Sequence, residues 1–202
     1  MKSVFLGDTL ETLFLIPLIW MYSDLGGADT ESHKVRDTLN GLGVTAFNAS
    51  AATIAFAPRA PSSPASSFLQ PSVLYSNPTY PLWHAVVFLL LCTTISTQDL
   101  PDLPGDVARN RRTLPIAHGE PAARRWLAVL IAFWSVVCPA FWRTGWWGYG
   151  VVGGMGAVMA GRILLLRNVD ADARTWKMWC AWAVCVYLLP VGAWWIDGGR
   201  AV

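Results

Sequence analysis

Charge is what this sequence is shortest of. Lys, Arg, Asp and Glu make up 14% of its 202 residues, hydrophobic residues 54%, and mean hydropathy is +0.40. Ordinary soluble domains carry about 25% charged residues, so a water-solvated globule is excluded. Cysteine is scarce too. Cys92, Cys138, Cys180 and Cys185 all lie inside apolar runs, and none has C-x-x-C spacing. That excludes a disulfide framework or a zinc cluster and leaves small apolar packing residues. His33, His84 and His118 share no metal-ligand spacing. A clean signal peptide is missing, because Asp8 and Glu11 interrupt the first apolar run and no small-residue cleavage site follows. No internal repeat is detectable. The formal net charge of +2 says little, and no nucleic-acid partner is expected.

What the chain does have is apolar runs of bilayer length, which takes about 20 residues. Six are predicted as membrane helices: Phe5–Tyr22, Val35–Ala57, Leu82–Gln98, Ala122–Trp142, Trp146–Arg167 and Trp176–Ile196. The fold class is therefore an all-α, integral-membrane helical bundle, treated as one domain over 1–202. The first run carries Pro17 and stops at a Gly26-Gly27 turn. The second is rich in Gly, Ala, Ser, Thr and Asn, which suits close helix packing. In it, Asn48 either bonds across helices or faces a ligand cavity. Residues 58–81 form a Pro/Ser-rich loop, and tryptophans gather near the span ends as an interfacial belt.

Six spans sort the loops onto two sides. Ten Lys and Arg fall on the side holding Arg109 to Arg125, and four on the other. The positive-inside rule makes the first side cytoplasmic and the 58–81 loop non-cytoplasmic. The endoplasmic reticulum is the expected membrane.

One stretch on the cytoplasmic side carries chemistry. Gln98 to Pro115 reads Q-D-L-P-D-L-P-G-D-V-A-R-N-R-R-T-L-P. Asp99, Asp102 and Asp106 are three and four apart at the end of a span, where like charges repel unless a cation joins them. Magnesium takes hard oxygen ligands and is shared between one or two carboxylates and substrate phosphates. Arg109, Arg111 and Arg112 supply fork-shaped donors for diphosphate oxygens, and Thr113 either contacts phosphate or caps a turn. Helical offsets of three and seven put the aspartates on one face. Pro101 and Pro104 argue against a regular helix there, so 99–121 is predicted as an Asp-rich cytoplasmic loop.

Q-D-x-x-D-x-x-x-D followed by R-R-T-L-P resembles the second aspartate-rich motif of the UbiA superfamily of membrane prenyltransferases. W-M-Y-S-D-L-G-G-A-D, Trp20 to Asp29, is similar to a stretch in a fungal branch that includes membrane sesquiterpene cyclases. The resemblance implies a helical bundle around a cavity in which two aspartate motifs hold an isoprenyl diphosphate through Mg2+. Loss of diphosphate then leaves an allylic carbocation, captured by an acceptor (often aromatic) or by cyclisation. Asp99, Asp102 and Asp106 would be the metal-binding catalytic residues, with Arg109, Arg111, Arg112 and Thr113 on the diphosphate. Farnesyl diphosphate is a candidate substrate.

Family members resemble nine-helix bundles, with this motif after the sixth helix. The chain is thus expected to match helices four to nine, an N-terminally truncated, partial domain without the first motif. No N-D-x-x-D-like cluster precedes Asp24. Asn110 stands where the family often has glycine.

Further candidates are weighed, with Asp24 and Arg162 joining Asn48 as possible cavity residues. Asp24 either contacts substrate or ends a helix. Arg162 either snorkels to the cytoplasmic surface or reaches a diphosphate. Asp170 and Asp172 fit a solvated loop with local ion pairs. Trp20, Phe133, Trp134, Phe141 and Tyr187 either line a carbocation-stabilising cavity or pack against helices and lipid. Alternatives to a prenyltransferase or terpene cyclase are an inactive remnant of one and, remotely, a cation transporter, which would want acids near mid-membrane.

Overall fold

A computed structural model describes residues 9–27, 32–56 and 77–196. These are almost entirely helical, with no strand among them. The elements are α1 (Thr9–Ser23), α2 (His33–Phe56), α3 (Thr79–Thr94), a 3-10 turn (Ile95–Gln98) and α4 (Asp99–Ala108). They continue with α5 (Leu114–His118), α6 (Glu120–Phe141), α7 (Gly145–Gly148), a π-helical turn (Tyr149–Gly153), α8 (Gly154–Leu165), α9 (Val169–Tyr187) and α10 (Leu189–Ile196). Helical segments thus occur at all six expected positions. Three are long and apolar enough to cross a bilayer: Thr79–Ala108, Glu120–Phe141 and Gly145–Leu165; α1 is a shorter apolar helix. The polar residues of α2 dilute its hydropathy. The last segment opens on charged residues and breaks between Tyr187 and Leu189, next to Pro190. The 58–81 loop lies outside the described residues as far as 76.

Two compact units divide the chain. The first contains α1, α2 from Lys34 onward, and α3 as far as Cys92. In α1, Leu15 and Leu18 are buried with Glu11, while Phe14, Ile16 and Ile19 stay exposed. The helix ends as its glycines predict. Gly26 has φ +74, and a Cβ on Gly27 would come 2.6 Å from the Met21 carbonyl oxygen. Arg36 and Asp37, near the start of α2, are both buried and lie 3.4 Å apart.

The second unit, from Thr93, is built on α6, α8 and α9, with α8 and the π turn before it lying against α6. Glycine makes that approach possible: a Cβ on Gly156 would lie 2.7 Å from Ser135 Cβ. Ser135 Oγ donates to the Ile131 carbonyl at 2.7 Å and accepts from Trp182 Nε1 at 3.0 Å. One hydroxyl thereby ties α9 to α6 where α8 comes closest. Trp182, Leu127, Ile131, Met159 and Ile163 are fully buried around this point.

The 99–121 segment is not the predicted loop. Its first ten residues form α4, prolines included. Pro101 falls in the first turn, where a backbone N–H has no intrahelical partner to lose. The preceding 3-10 turn, with Thr97 Oγ1 bonded to the Thr94 carbonyl at 2.7 Å, resets the hydrogen-bond ladder just before it. Pro104 is the one costly interior proline in a helix of ten residues.

Candidate functional site

The aspartate helix begins where two threonines, Thr93 half-buried and Thr94 buried, are held by indoles. Trp134 Nε1, on α6, donates to Thr93 Oγ1 at 2.9 Å, and Trp179 Nε1, on α9, donates to Thr94 Oγ1 at 3.1 Å. Trp176 stacks on Trp179 with ring centroids 4.8 Å apart. Two helices of the second unit thereby fix the start of α4, and α9 also packs along it.

Along α4 the aspartates form one stripe, at offsets three and seven, but their surroundings differ. Asp99 is 3% exposed, Asp106 2%, and Asp102 between them faces solvent. No group of three His, Cys, Asp or Glu side chains is gathered to hold a metal among the described residues. Two carboxylates on one stripe still suit magnesium, whose remaining positions go to water and phosphate oxygens.

Asn110 turns the chain at the end of α4. Its N–H donates to the Val107 carbonyl at 3.2 Å and that of Arg111 to the Asp106 carbonyl at 3.0 Å, while Asn110 itself has φ 57. This is a Schellman cap, which needs a left-handed residue, usually glycine and next asparagine. The unusual Asn110 of the motif therefore keeps the backbone that glycine would give. The cap folds Arg111 back over the helix end, where Nη1 lies 3.4 Å from Asp106 Oδ1. A predicted diphosphate ligand and a predicted metal ligand thus pair with each other. Arg112 and Arg109 are exposed, Arg109 Nε donating to the Gly105 carbonyl at 3.3 Å. Thr113 opens α5 without capping it through its side chain. Its Oγ1 is buried with no hydrogen-bond partner, as a hydroxyl reserved for a ligand would be.

Other candidates fall elsewhere. Asp24 is exposed in the turn after α1, and Asn48 is half-buried on α2. Arg162 neither snorkels freely nor is unengaged: Nε donates to Thr175 Oγ1 and Nη2 to the Ala171 carbonyl, each at 3.1 Å. Among the aromatics, Trp20 and Phe133 are exposed, Trp134 is buried, Phe141 half-buried, and Tyr187 half-buried with its hydroxyl unpartnered. Asp172 is no loop residue. It is 3% exposed and takes Arg124 in a fork, Nη1 to Oδ1 at 2.9 Å and Nη2 to Oδ2 at 2.6 Å. Arg124 also binds Glu120 Oε1 at 2.7 Å and the carbonyls of Ile163 and Leu166 at 3.1 and 3.3 Å. One guanidinium thus ties the start of α6 to the end of α8 and the first turn of α9. Sequence reasoning had counted Arg124 only as a topological charge. The available signal was the pair of acids in the first turn of α9.

Comparison with known proteins places this geometry. Over 109 residues the chain is 30% identical to Somaliensene A/B synthase of Streptomyces somaliensis, covering 50% of this chain and 36% of that protein. Over 114 residues it is 32% identical to digeranylgeranylglyceryl phosphate synthase of Methanopyrus kandleri, covering 55% and 41% respectively. These matches therefore span well under half the length of either relative. No solved structure matches significantly. The family model of the UbiA prenyltransferases, however, matches residues 10–182, from the first helix to the core of α9, and the chain belongs to that family.

Proposed function

We propose that this chain is a membrane enzyme that binds an isoprenyl diphosphate at the α4–α5 corner and promotes its ionisation, for prenyl transfer or terpene cyclisation. The observation that carries this is the stripe of Asp99, Asp102 and Asp106 leading through the Asn110 cap to Arg111, Arg112 and the unpartnered Thr113 hydroxyl. Asp99 and Asp102 would hold Mg2+. When bound, the ion would neutralise the diphosphate and make it a better leaving group. Arg112, exposed at the helix end, supplies a bidentate fork to phosphate oxygens. Arg111 can exchange Asp106 for phosphate without leaving its cap. Thr113 Oγ1 donates a further hydrogen bond. The apolar walls expected around an isoprenoid tail would exclude water from an allylic carbocation.

Both named relatives support the coarse reading. The methanogen protein's name joins geranylgeranyl groups to a glyceryl phosphate. Farnesyl diphosphate as substrate, the fungal cyclase branch, an aromatic acceptor, endoplasmic-reticulum location and a cytoplasmic motif all belong to this proposal. Because the relatives are longer than the matched stretch, the assay uses the chain as its genomic locus encodes it.

Membranes carrying the protein are supplied with radiolabelled farnesyl diphosphate and magnesium. A cyclic hydrocarbon without acceptor identifies a cyclase, and product only after an aromatic acceptor is added identifies a transferase. Folded protein that turns over no isoprenyl diphosphate in either arm overturns catalysis and leaves the inactive remnant. Asp99→Asn and Asp102→Asn are each expected to lower turnover by at least a hundredfold, with EDTA doing the same to the unaltered protein.

A further inference from the structure

The first compact unit holds a pocket of about 370 Å³ between α1, α2 and α3, within the roughly 300–1,000 Å³ of small-molecule sites. Phe14, Leu42 and Phe88 are among its mostly apolar walls. Three polar side chains interrupt them, one from each helix: Glu11, Thr45 and His84.

Two of these groups, His84 and Thr45, have incomplete hydrogen bonding. His84 Nδ1 lies 2.8 Å from the Tyr80 carbonyl oxygen. A carbonyl only accepts, so the neutral ring carries its proton on Nδ1, and Nε2 is left as a bare lone pair. That Nε2 is buried with no hydrogen-bond partner, and so is Thr45 Oγ1. Glu11 is 7% exposed and accepts from Thr53 Oγ1 at 3.1 Å. Buried polar groups normally find partners, and in membrane helices polar and ionisable side chains cluster where function needs them. His84 and Thr45, the residues that carry the two unmet atoms, both line this one pocket.

We infer that this pocket binds an uncharged, apolar molecule carrying one hydroxyl, which donates to His84 Nε2 and accepts from Thr45 Oγ1. Among the described residues, no Lys or Arg stands in the pocket wall to balance an anionic head, so the ligand is not the diphosphate of the proposed reaction. A pure hydrocarbon would leave both atoms unmet. The inference does not rest on prenyl diphosphate turnover, and neither does its test.

The protein in phosphatidylcholine nanodiscs is photolabelled with a ten-carbon primary alcohol bearing a mid-chain diazirine, and labelled peptides are mapped by mass spectrometry. Label is expected within 10–14, 42–49 and 84–88. 1-Decanol should compete roughly fivefold to tenfold better than decane, the equivalent of one hydrogen bond. His84→Phe should erase that preference, and so should Thr45→Val, which keeps the side-chain shape if the larger change prevents folding. Label spread evenly over lipid-facing residues, or equal competition by decane in the unaltered protein, would overturn the site.

Discussion

At the scale of single residues, two side chains do more than their type suggests. Asn110 holds the left-handed turn that returns Arg111 to Asp106. Glycine adopts that backbone freely, whereas a β-branched residue costs about 1–2 kcal/mol in it. Asn110→Gly should leave the melting temperature of the detergent-solubilised protein nearly unchanged. Asn110→Val should lower it by the equivalent of that cost and should also weaken isoprenyl diphosphate binding, because the cap aims Arg111 and Arg112. Arg124 and Asp172 present the other case. Both are buried and fork-bonded, so removing Asp172 leaves the Arg124 guanidinium with only the part-exposed Glu120 as counter-ion, a loss of up to about 3–5 kcal/mol. Asp172→Ala is expected to cost that much in thermal denaturation. Arg124→Met combined with Asp172→Leu should cost clearly less than the sum of the two single changes. Additive losses would mean that the fork contributes little.

Helices were easier to foresee than their partners. Apolar runs marked the places of all six helical segments, and for the three that are long and apolar enough to cross a bilayer the hydrophobicity is visible in any linear reading. Pro101 and Pro104 misdirected the reading of α4, since a proline's cost depends on whether it falls in the first turn, a boundary the sequence does not mark. The pairing of Asp172 with Arg124, 48 residues away, was equally hidden, because charge pairing across helices depends on which faces meet. The aspartate stripe itself was legible from spacing alone, while the capture of Asp106 by Arg111 followed from a backbone turn. Glycines recur along the Trp146–Arg167 run, and the structure shows where one of them is needed. At Gly156 a side chain would press into Ser135, the hydroxyl that also holds Trp182. Overpacking of this kind costs about 1–3 kcal/mol. Gly156→Val should therefore lower thermal stability by that amount and shift tryptophan fluorescence, whereas Gly154→Ala, with open space around its position, should do neither.

For the molecule as a whole, membrane orientation decides which compartment supplies the substrate. The fully formed span Glu120–Phe141 gives the measure: 22 residues at about 1.5 Å each come to roughly 33 Å, enough to carry the chain through a hydrocarbon core of about 30 Å. Its two ends must then lie in different compartments. Arg109, Arg111, Arg112, Arg124 and Arg125 crowd the start of this helix, and Arg143 stands alone beyond its end, so under the positive-inside rule the aspartate stripe is expected in the cytoplasm. His118, just before the helix, and Trp146, just after it, are both exposed and suit cysteine mapping. With the four native cysteines replaced by alanine, His118→Cys and Trp146→Cys are probed by a membrane-impermeant maleimide on sealed vesicles of known orientation. In vesicles exposing their cytoplasmic face, His118→Cys should label at once, and Trp146→Cys only after detergent is added. The reverse pattern would place the arginines and aspartates away from the cytoplasm, so that a cytoplasmic isoprenyl diphosphate could not reach them without crossing the bilayer. Labelling of both without detergent would deny that α6 spans the membrane.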